Sequence, residues 1–443
     1  MTEANILLDA LLDRAAMSHA SLARHLNALD TALRYDHASV ARWIRDQAIP
    51  RHPVPLLICR IIGDRLGTTV TLADIGMAPD HDHEPATVAG LIERAAAVWR
   101  GDQKGRHPTK PLIGAQATAP LWEWEHPPDN DNLTRTGPRR VDPVDVIRLR
   151  LARTRYQEMY RRVGGLPVRA RVVDTLTGQA APLLRAAYDN SRGRDLFQAV
   201  AGLAALAGVC AYDANRQALA QRHLLTALRL AKASGDRALG AYIVAVMANQ
   251  ALHLREHRLV VQYTQAALRA SGPAISHALA ADLHALAGKA YARMHDTTSS
   301  HDHLRRAEAL AVRLDPSSGP VEVSYVQPGL IETQVAEALR RLGDLTAARS
   351  YADESVRTAT TTHLRGQVHR HAGLTLVLTA QGDLEHAIAT GHRMLDRLTG
   401  MESGRLADRI RQVTTALKPH ATQPAVAAFL ERAHHHADDP TGP

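Results

Sequence analysis

Phenylalanine occurs twice and cysteine twice in 443 residues, and the aromatic residues together make up only 4%. A β-sandwich or barrel draws on aromatic and β-branched side chains for its core, so this scarcity argues against both. Cys59 and Cys210 lie far apart, each inside an apolar helical pattern. That placement favours buried thiols in a reducing cytoplasm. No run approaches the roughly 18 uninterrupted apolar residues of a membrane span. Glu3, Asp9 and Asp13 near the start are unlike a signal peptide. The chain is therefore expected to be soluble and cytoplasmic. Neither a glycine-rich phosphate loop nor a GxSxG nucleophile motif occurs, so neither an enzyme nor a cofactor is expected.

What the chain does have is alanine, leucine, valine and arginine. The formal net charge is +8, but its distribution matters more than its sum. In residues 1–79 eight arginines meet eight carboxylates, and residues 80–141 come close to balance. The excess lies beyond residue 141. Two local clusters stand out. Arg42, Arg45, Arg51 and Arg60 face the single acid Asp46 between His37 and Arg60, and eight arginines face Glu158 alone between Arg148 and Arg171. For the second cluster, solvated or internally paired arginines are the favoured reading over a phosphate-binding surface.

Residues 1–79 read as four or five short helices, the size of a helix-turn-helix domain. Ile6, Leu7, Leu8, Leu11 and Leu12 form one apolar face. Ser18 precedes a helix with Leu22, Leu26 and Leu29 in helical register, and Asp36 caps a third. Pro53 and Pro55 open a fourth, which Gly67 stops. Residues 80–141 are rich in proline and polar residues and read as a linker with one short helix over Thr87–Trp99, pinned to a domain by Trp122 and Trp124. Residues 142–443 read as successive helices. Gly343-Asp344-Leu345 and Gly382-Asp383-Leu384 open similar helices, with comparable turns near Asn215, His257 and Asp296. Spacings of roughly 40–48 residues predict about five helical hairpins between Leu196 and Leu398. The fold class is accordingly all-α: a helix-turn-helix domain followed by a tetratricopeptide-like solenoid.

The third helix holds the candidate DNA-reading residues. On a helical wheel Val40, Trp43, Ile44 and Gln47 share one side, while Ser39, Arg42 and Asp46 lie opposite and Ala38 and Arg45 flank them. A recognition helix needs an apolar stripe to seat it and an outer face that reaches base edges. Arg42 suits a bidentate contact to guanine, and His37, Ser39, Arg45 and Arg51 suit base or phosphate contacts. The alternative is a solvated helix face.

Tyr35-Asp36-His37-Ala38-Ser39-Val40-Ala41-Arg42-Trp43-Ile44-Arg45 and Leu72-Ala73-Asp74-Ile75-Gly76 resemble the N-terminal domain of actinobacterial helix-turn-helix regulators of the XRE type. Ala211-Tyr212-Asp213-Ala214-Asn215-Arg216, Gly235-Asp236-Arg237-Ala238-Leu239 and Met247-Ala248-Asn249-Gln250-Ala251 resemble the repeats of the same group. The resemblance implies a transcriptional regulator that binds double-stranded DNA. Where the group's pattern has glycine after the recognition helix, this chain has Asp46. That residue enters a left-handed turn less freely and faces phosphate with a negative charge.

The concave side of a helical array is usually a binding groove. Asn215, Arg222, Tyr242, Asn249, Gln250 and His253 are the candidate effector-binding residues, because amides donate to and accept from an extended peptide backbone. Inter-repeat packing is the competing role. His81-Asp82-His83-Glu84, His301-Asp302-His303 and His434-His435-His436 lack the spacing of a structural zinc site and read as loops or tails. The expected partners are double-stranded DNA, a second copy of the chain, and a signalling peptide or protein effector. The rival reading is a scaffold that acts through its repeats alone.

Overall fold

The computed structural model describes residues 5–29, 33–46, 48–51, 53–67, 70–72, 74–77, 87–105, 110–112, 115–126, 132–272, 275–312, 323–360 and 363–438. Two compact units emerge. One comprises Met1–Ala86 with Leu112–Ala119; the other comprises Thr87–Pro111 and Pro120–Pro443. Among the described residues no β-strand forms. Two isolated bridges pair Arg135 with Tyr188 and Arg140 with Ala187.

The first unit consists of α1 (Ile6–Arg14), α2 (His19–Leu29), α3 (His37–Arg45) and α4 (Val54–Leu66). Leu8, Leu12, Leu22, Leu26, Val40, Ile58, Ile62 and Ile75 are buried in one core. The expected starts and stops are present. Ser18 Oγ accepts from the Ser21 amide at 3.2 Å, and Gly67 ends α4 at φ +64°. Leu29, expected in the core, is 45% exposed. Asn5 closes the unit: its side chain caps α1 and donates to the Ile75 carbonyl at 2.9 Å, while its backbone donates to the Ile44 carbonyl at 2.7 Å.

The second unit begins with α5 (Val88–Gln103) and the end of α6 (Ala115–Glu125). The segment expected as a linker with one short helix thus contributes two helices. Trp99 and Trp124 are fully buried, whereas Trp122 is 51% exposed. Next come α7 (Pro143–Val163) and α8 (Gly165–Thr175), which runs through a π turn over Leu176–Ala180 into α9 (Ala181–Arg185). Five hairpins follow: α10 (Asn190–Asp213) with α11 (Gln217–Ser234), α12 (Arg237–His253) with α13 (His257–Ser271), and α14 (His277–Arg293) with α15 (Thr297–Ala311). The last two are α16 (Leu330–Leu342) with α17 (Leu345–Arg357), and α18 (Leu364–Gln381) with α19 (Leu384–Asp396). Helices α20 (Gly404–Leu417) and α21 (Pro424–Asp438) complete the array. Helix α10 is long and apolar enough to cross a membrane, but 83% of its apolar window is buried in the unit, as befits a core helix.

The hairpins share one backbone device. Each turn places one residue in the left-handed region: Asn215, Arg255, His295, Gly343 and Gly382, with φ between +59° and +93°. Seven positions before each of these lies a buried small side chain or glycine: Gly208, Ala248, Gly288, Ala336 and Thr375. Five positions after each lies a second buried residue: Ala220, Val260, Ser300, Ala348 and Ala387. The two sites let the paired helices approach closely. A Cβ on Gly208 would lie 2.7 Å from Leu224, and one on Gly288 would lie 2.7 Å from Leu304. The array is therefore a tetratricopeptide-like solenoid with a fixed turn geometry and variable residues.

The C-terminal part of the solenoid folds back onto its start. Asp213, fully buried at the end of α10, accepts from the Gly165 amide at 2.8 Å, from Arg365 Nε at 2.8 Å and from Ser403 Oγ at 2.8 Å. One carboxylate thus joins α8, α10, α18 and the start of α20. Glu402 adds backbone bonds to Val163 and Leu166. Gly164, at φ +86°, permits this approach, since a Cβ there would lie 2.4 Å from the Glu402 carbonyl oxygen.

Candidate functional site

Helix α3 is held by its surroundings on three sides. Val40, Trp43 and Ile44 are buried, so the seating stripe is real, while Gln47 lies outside the described residues. The Asn27 amide pairs with the backbone of Tyr35, donating to its carbonyl at 2.8 Å and accepting from its amide at 2.9 Å. The Tyr35 ring meets Trp43 edge to face at 5.1 Å. Asp36 then caps the helix, accepting from the Ser39 amide at 2.8 Å. Sequence reasoning missed Asn27 because its partner lies eight residues away across the connection between the two helices.

The outer face differs from the wheel in one respect. Ser39 is 7% exposed, and its hydroxyl donates to the Asp36 carboxylate at 2.8 Å. Those two bonds from Ser39 hold the Asp36 carboxyl below its usual pKa. Ser39 is thus occupied in building the cap. His37, Ala38, Arg42, Arg45 and Arg51 are exposed. Arg45 is held by Asp46 through two bonds, at 2.9 and 3.2 Å. This pair keeps the Asp46 carboxyl below its ordinary range, with Arg42 adding a weaker pull. Asp46 itself sits at φ −103°, so the expected difficulty with a left-handed turn does not arise.

Within the second unit the arginines of α7 and α8 divide between paired and solvated positions, with Arg155, Arg162 and Arg171 exposed. Arg150 bonds to Gln198 at 2.6 Å, Arg161 to Ser324 Oγ at 2.7 Å, and Arg169 to Asp102. Both are outcomes expected of solvated or internally paired arginines.

A cleft of about 1160 Å³ opens where the turns of the first two hairpins face α14, α16 and α20. Of the six candidate effector residues, Asn215, Asn249 and His253 line it. Asn249 is exposed, and its carbonyl accepts from Tyr212 Oη at 3.1 Å. Asn215 donates from Nδ2 to Asp408 at 3.0 Å. His253 stacks edge-on against Tyr212 at 5.8 Å. Burial and the nearby Arg405 depress its pKa. The other three stand elsewhere. Gln250 is 2% exposed and donates to the Gln217 carbonyl at 2.8 Å, which is inter-helix packing. Tyr242 is buried with its ring 5.9 Å from that of Tyr325. Arg222 is half-buried on α11 and does not line the cleft.

The lining that sequence reasoning missed is its charge. Eight arginine or lysine side chains line the cleft against Glu337 and Asp408. Glu337 bonds Arg293 at 2.7 Å, Lys289 at 3.1 Å and Arg409 at 3.3 Å. Burial opposes its charge, but these three cations hold its carboxyl well below the usual range. Lys289 and Arg293 lie one turn apart on α14, but Glu337 comes from α16 and Arg409 from α20, so no local sequence signal gathers the four.

Other titratable groups cluster without forming a site. His284 and His303 approach to 3.0 Å between their Nδ1 atoms, and burial pushes His284 down to about 4. Among the described residues no third metal ligand joins them. His81-Asp82-His83-Glu84 lies outside the described residues.

Comparison with known proteins adds little chemistry. The SP15 N-terminal domain family matches residues 8–78, which lie within the first unit. No curated protein matches the chain. Among solved structures the chain is similar to a Rap protein complexed with Competence and Sporulation Factor, at 12% identity. That match covers 80% of this chain and 99% of the Rap chain with a TM-score of 0.42, a likeness too slight to bear on ligand or partner.

Proposed function

We propose that the chain is a sequence-specific DNA-binding transcriptional regulator whose repeat unit binds a peptide or protein effector. It acts in the cytoplasm at the nucleoid and catalyses no reaction. The observation that carries this reading is Arg42. It projects from a helix that three buried side chains seat and Asp36 caps, and no carboxylate among the described residues bonds it. An arginine so placed suits the paired acceptors of guanine in the major groove. His37 and Arg51 are exposed for phosphate, while Arg45 reaches it only by giving up Asp46. Anisotropy with the DNA upstream of the chain's own gene tests it. Arg42→Ala should weaken binding about tenfold or more, the worth of one bidentate base contact, with an unchanged melting curve. Unchanged affinity removes Arg42 from base reading.

The regulator pairs with a second copy, because a neutral domain making few phosphate contacts needs two half-sites for tight binding. Light scattering on the full chain should report a dimer at micromolar concentration, and a monomer would count against paired half-sites. Arg45 favours the rival scaffold reading in part, since Asp46 already neutralises it. Absence of any operator binding would leave the scaffold as the function.

A further inference from the structure

The cleft of the repeat unit holds far more positive charge than its own carboxylates compensate. Glu337 serves Lys289, Arg293 and Arg409, and Asp408 bonds Arg411. Arg255, Arg340 and Arg341 line the same cleft with no ion pair among the described residues. Arg340 is disfavoured as a cation by burial and by Arg409, Arg341 and Arg293, against the opposing pull of Glu337. Such crowding of like charges costs free energy in the empty cleft and is relieved by an anionic occupant. Arg255 adds a second observation. It holds the left-handed turn position at φ +65°, where two other hairpins use glycine. Arginine there is strained, and strain that persists at a cleft-lining position points to a use for the side chain.

We propose that this cleft takes an extended acidic peptide segment, whose carboxylates pair with Arg255, Arg340 and Arg341 while the Asn249 amide meets its backbone. The inference rests on the effector-binding reading and specifies the effector's chemistry. Three features favour a peptide over other anions. The volume of about 1160 Å³ exceeds the usual range for small-molecule clefts. Among the described residues the lining includes no Phe, Tyr or Trp for a nucleobase to stack on, and its His253 ring is already packed edge-on against Tyr212. Asn249 presents an exposed amide that donates and accepts at once, as a peptide backbone requires.

The test uses the full chain and a fluorescein-labelled peptide alternating glutamate and alanine, with a glutamine–alanine peptide and tripolyphosphate alongside. The glutamate peptide should bind and the glutamine peptide should not. Arg255→Gly should weaken binding about tenfold, the loss of roughly one charge-assisted hydrogen bond, while the melting temperature holds or rises because glycine relaxes the turn. Binding lost together with stability gained cannot be attributed to misfolding. The double variant R340Q/R341Q should weaken binding further. Equal binding of both peptides, or affinity unchanged in these variants, overturns the proposal. So does tripolyphosphate binding without glutamate-peptide binding, which would make this a phosphate site. Operator affinity measured on the same preparations separates the two readings. Glutamate-peptide binding that leaves operator affinity unmoved supports the acidic site while counting against the effector role.

Discussion

Arg42 and Arg45 are three positions apart on one short helix, yet the structure gives them different prospects. Arg45 already satisfies Asp46 with two bonds, while Arg42 reaches solvent. An exposed pair of this kind contributes little to folding, so its consequence is for binding. Asp46→Asn frees the Arg45 guanidinium for phosphate. The expected outcome is tighter duplex binding at low salt and a steeper salt dependence by about one counterion. Anisotropy titrations at several salt concentrations check it. A fall in affinity would instead assign Asp46 to a base, with cytosine N4 as its donor. Ser39, expected on the outer face, is buried within the cap instead. Its hydroxyl found an acceptor three residues upstream, and helix periodicity carries no information about that competition.

At the scale of the element, the hairpin turn is the recurring unit. Its left-handed residue is glycine twice, and asparagine, arginine and histidine once each. Asparagine tolerates this conformation because its short side chain bonds locally, as Asn215 does in accepting from Gln217 Nε2 at 3.3 Å. His295 is exposed and lies outside the cleft, so its strain serves no binding surface there. His295→Gly should stabilise the chain by up to about 1 kcal/mol, the relief of the turn less the added freedom of glycine in the unfolded state. The urea midpoint should rise with an unchanged slope. A fall would show that His295 makes a contact worth more than the turn strain. The Gly-Asp-Leu openings at Gly343 and Gly382 were legible because they share a sequence. The first three turns share only a geometry, and the small buried residues around them vary among Gly, Ala, Ser and Val.

Over the whole second unit, closure of the solenoid depends on Asp213. This carboxylate has no solvent exposure, and its partners lie 48, 152 and 190 residues away. Asp213→Ala would leave Arg365 buried without its counter-ion and should cost about 3–5 kcal/mol. Chemical denaturation checks the magnitude. A loss below about 1 kcal/mol would mean that water reaches Arg365, as at exposed pairs. The same long-range logic explains the second helix within residues 80–141. Trp99 and Trp124 are buried by residues far along the chain: Gly240 packs on the Trp124 ring, and Arg237 donates to the Trp124 carbonyl at 2.6 Å. Proline-rich composition between them describes the connection and does not report the surface on which it lies.

The all-helical class, the apolar seat of α3, its Asp36 cap and the five hairpins follow from the sequence by itself. Each rests on periodicity or on contacts within a few residues, and those are properties of a linear pattern. The tertiary structure decided which polar residues are available. It turned Ser39 inward, buried Gln250 and Tyr242 in packing, and assembled a cationic cleft from the first two hairpin turns, α14, α16 and α20. Those outcomes depend on which distant groups meet a side chain after the array closes, and charge density in a cleft is a property of the enclosed space rather than of any segment that lines it.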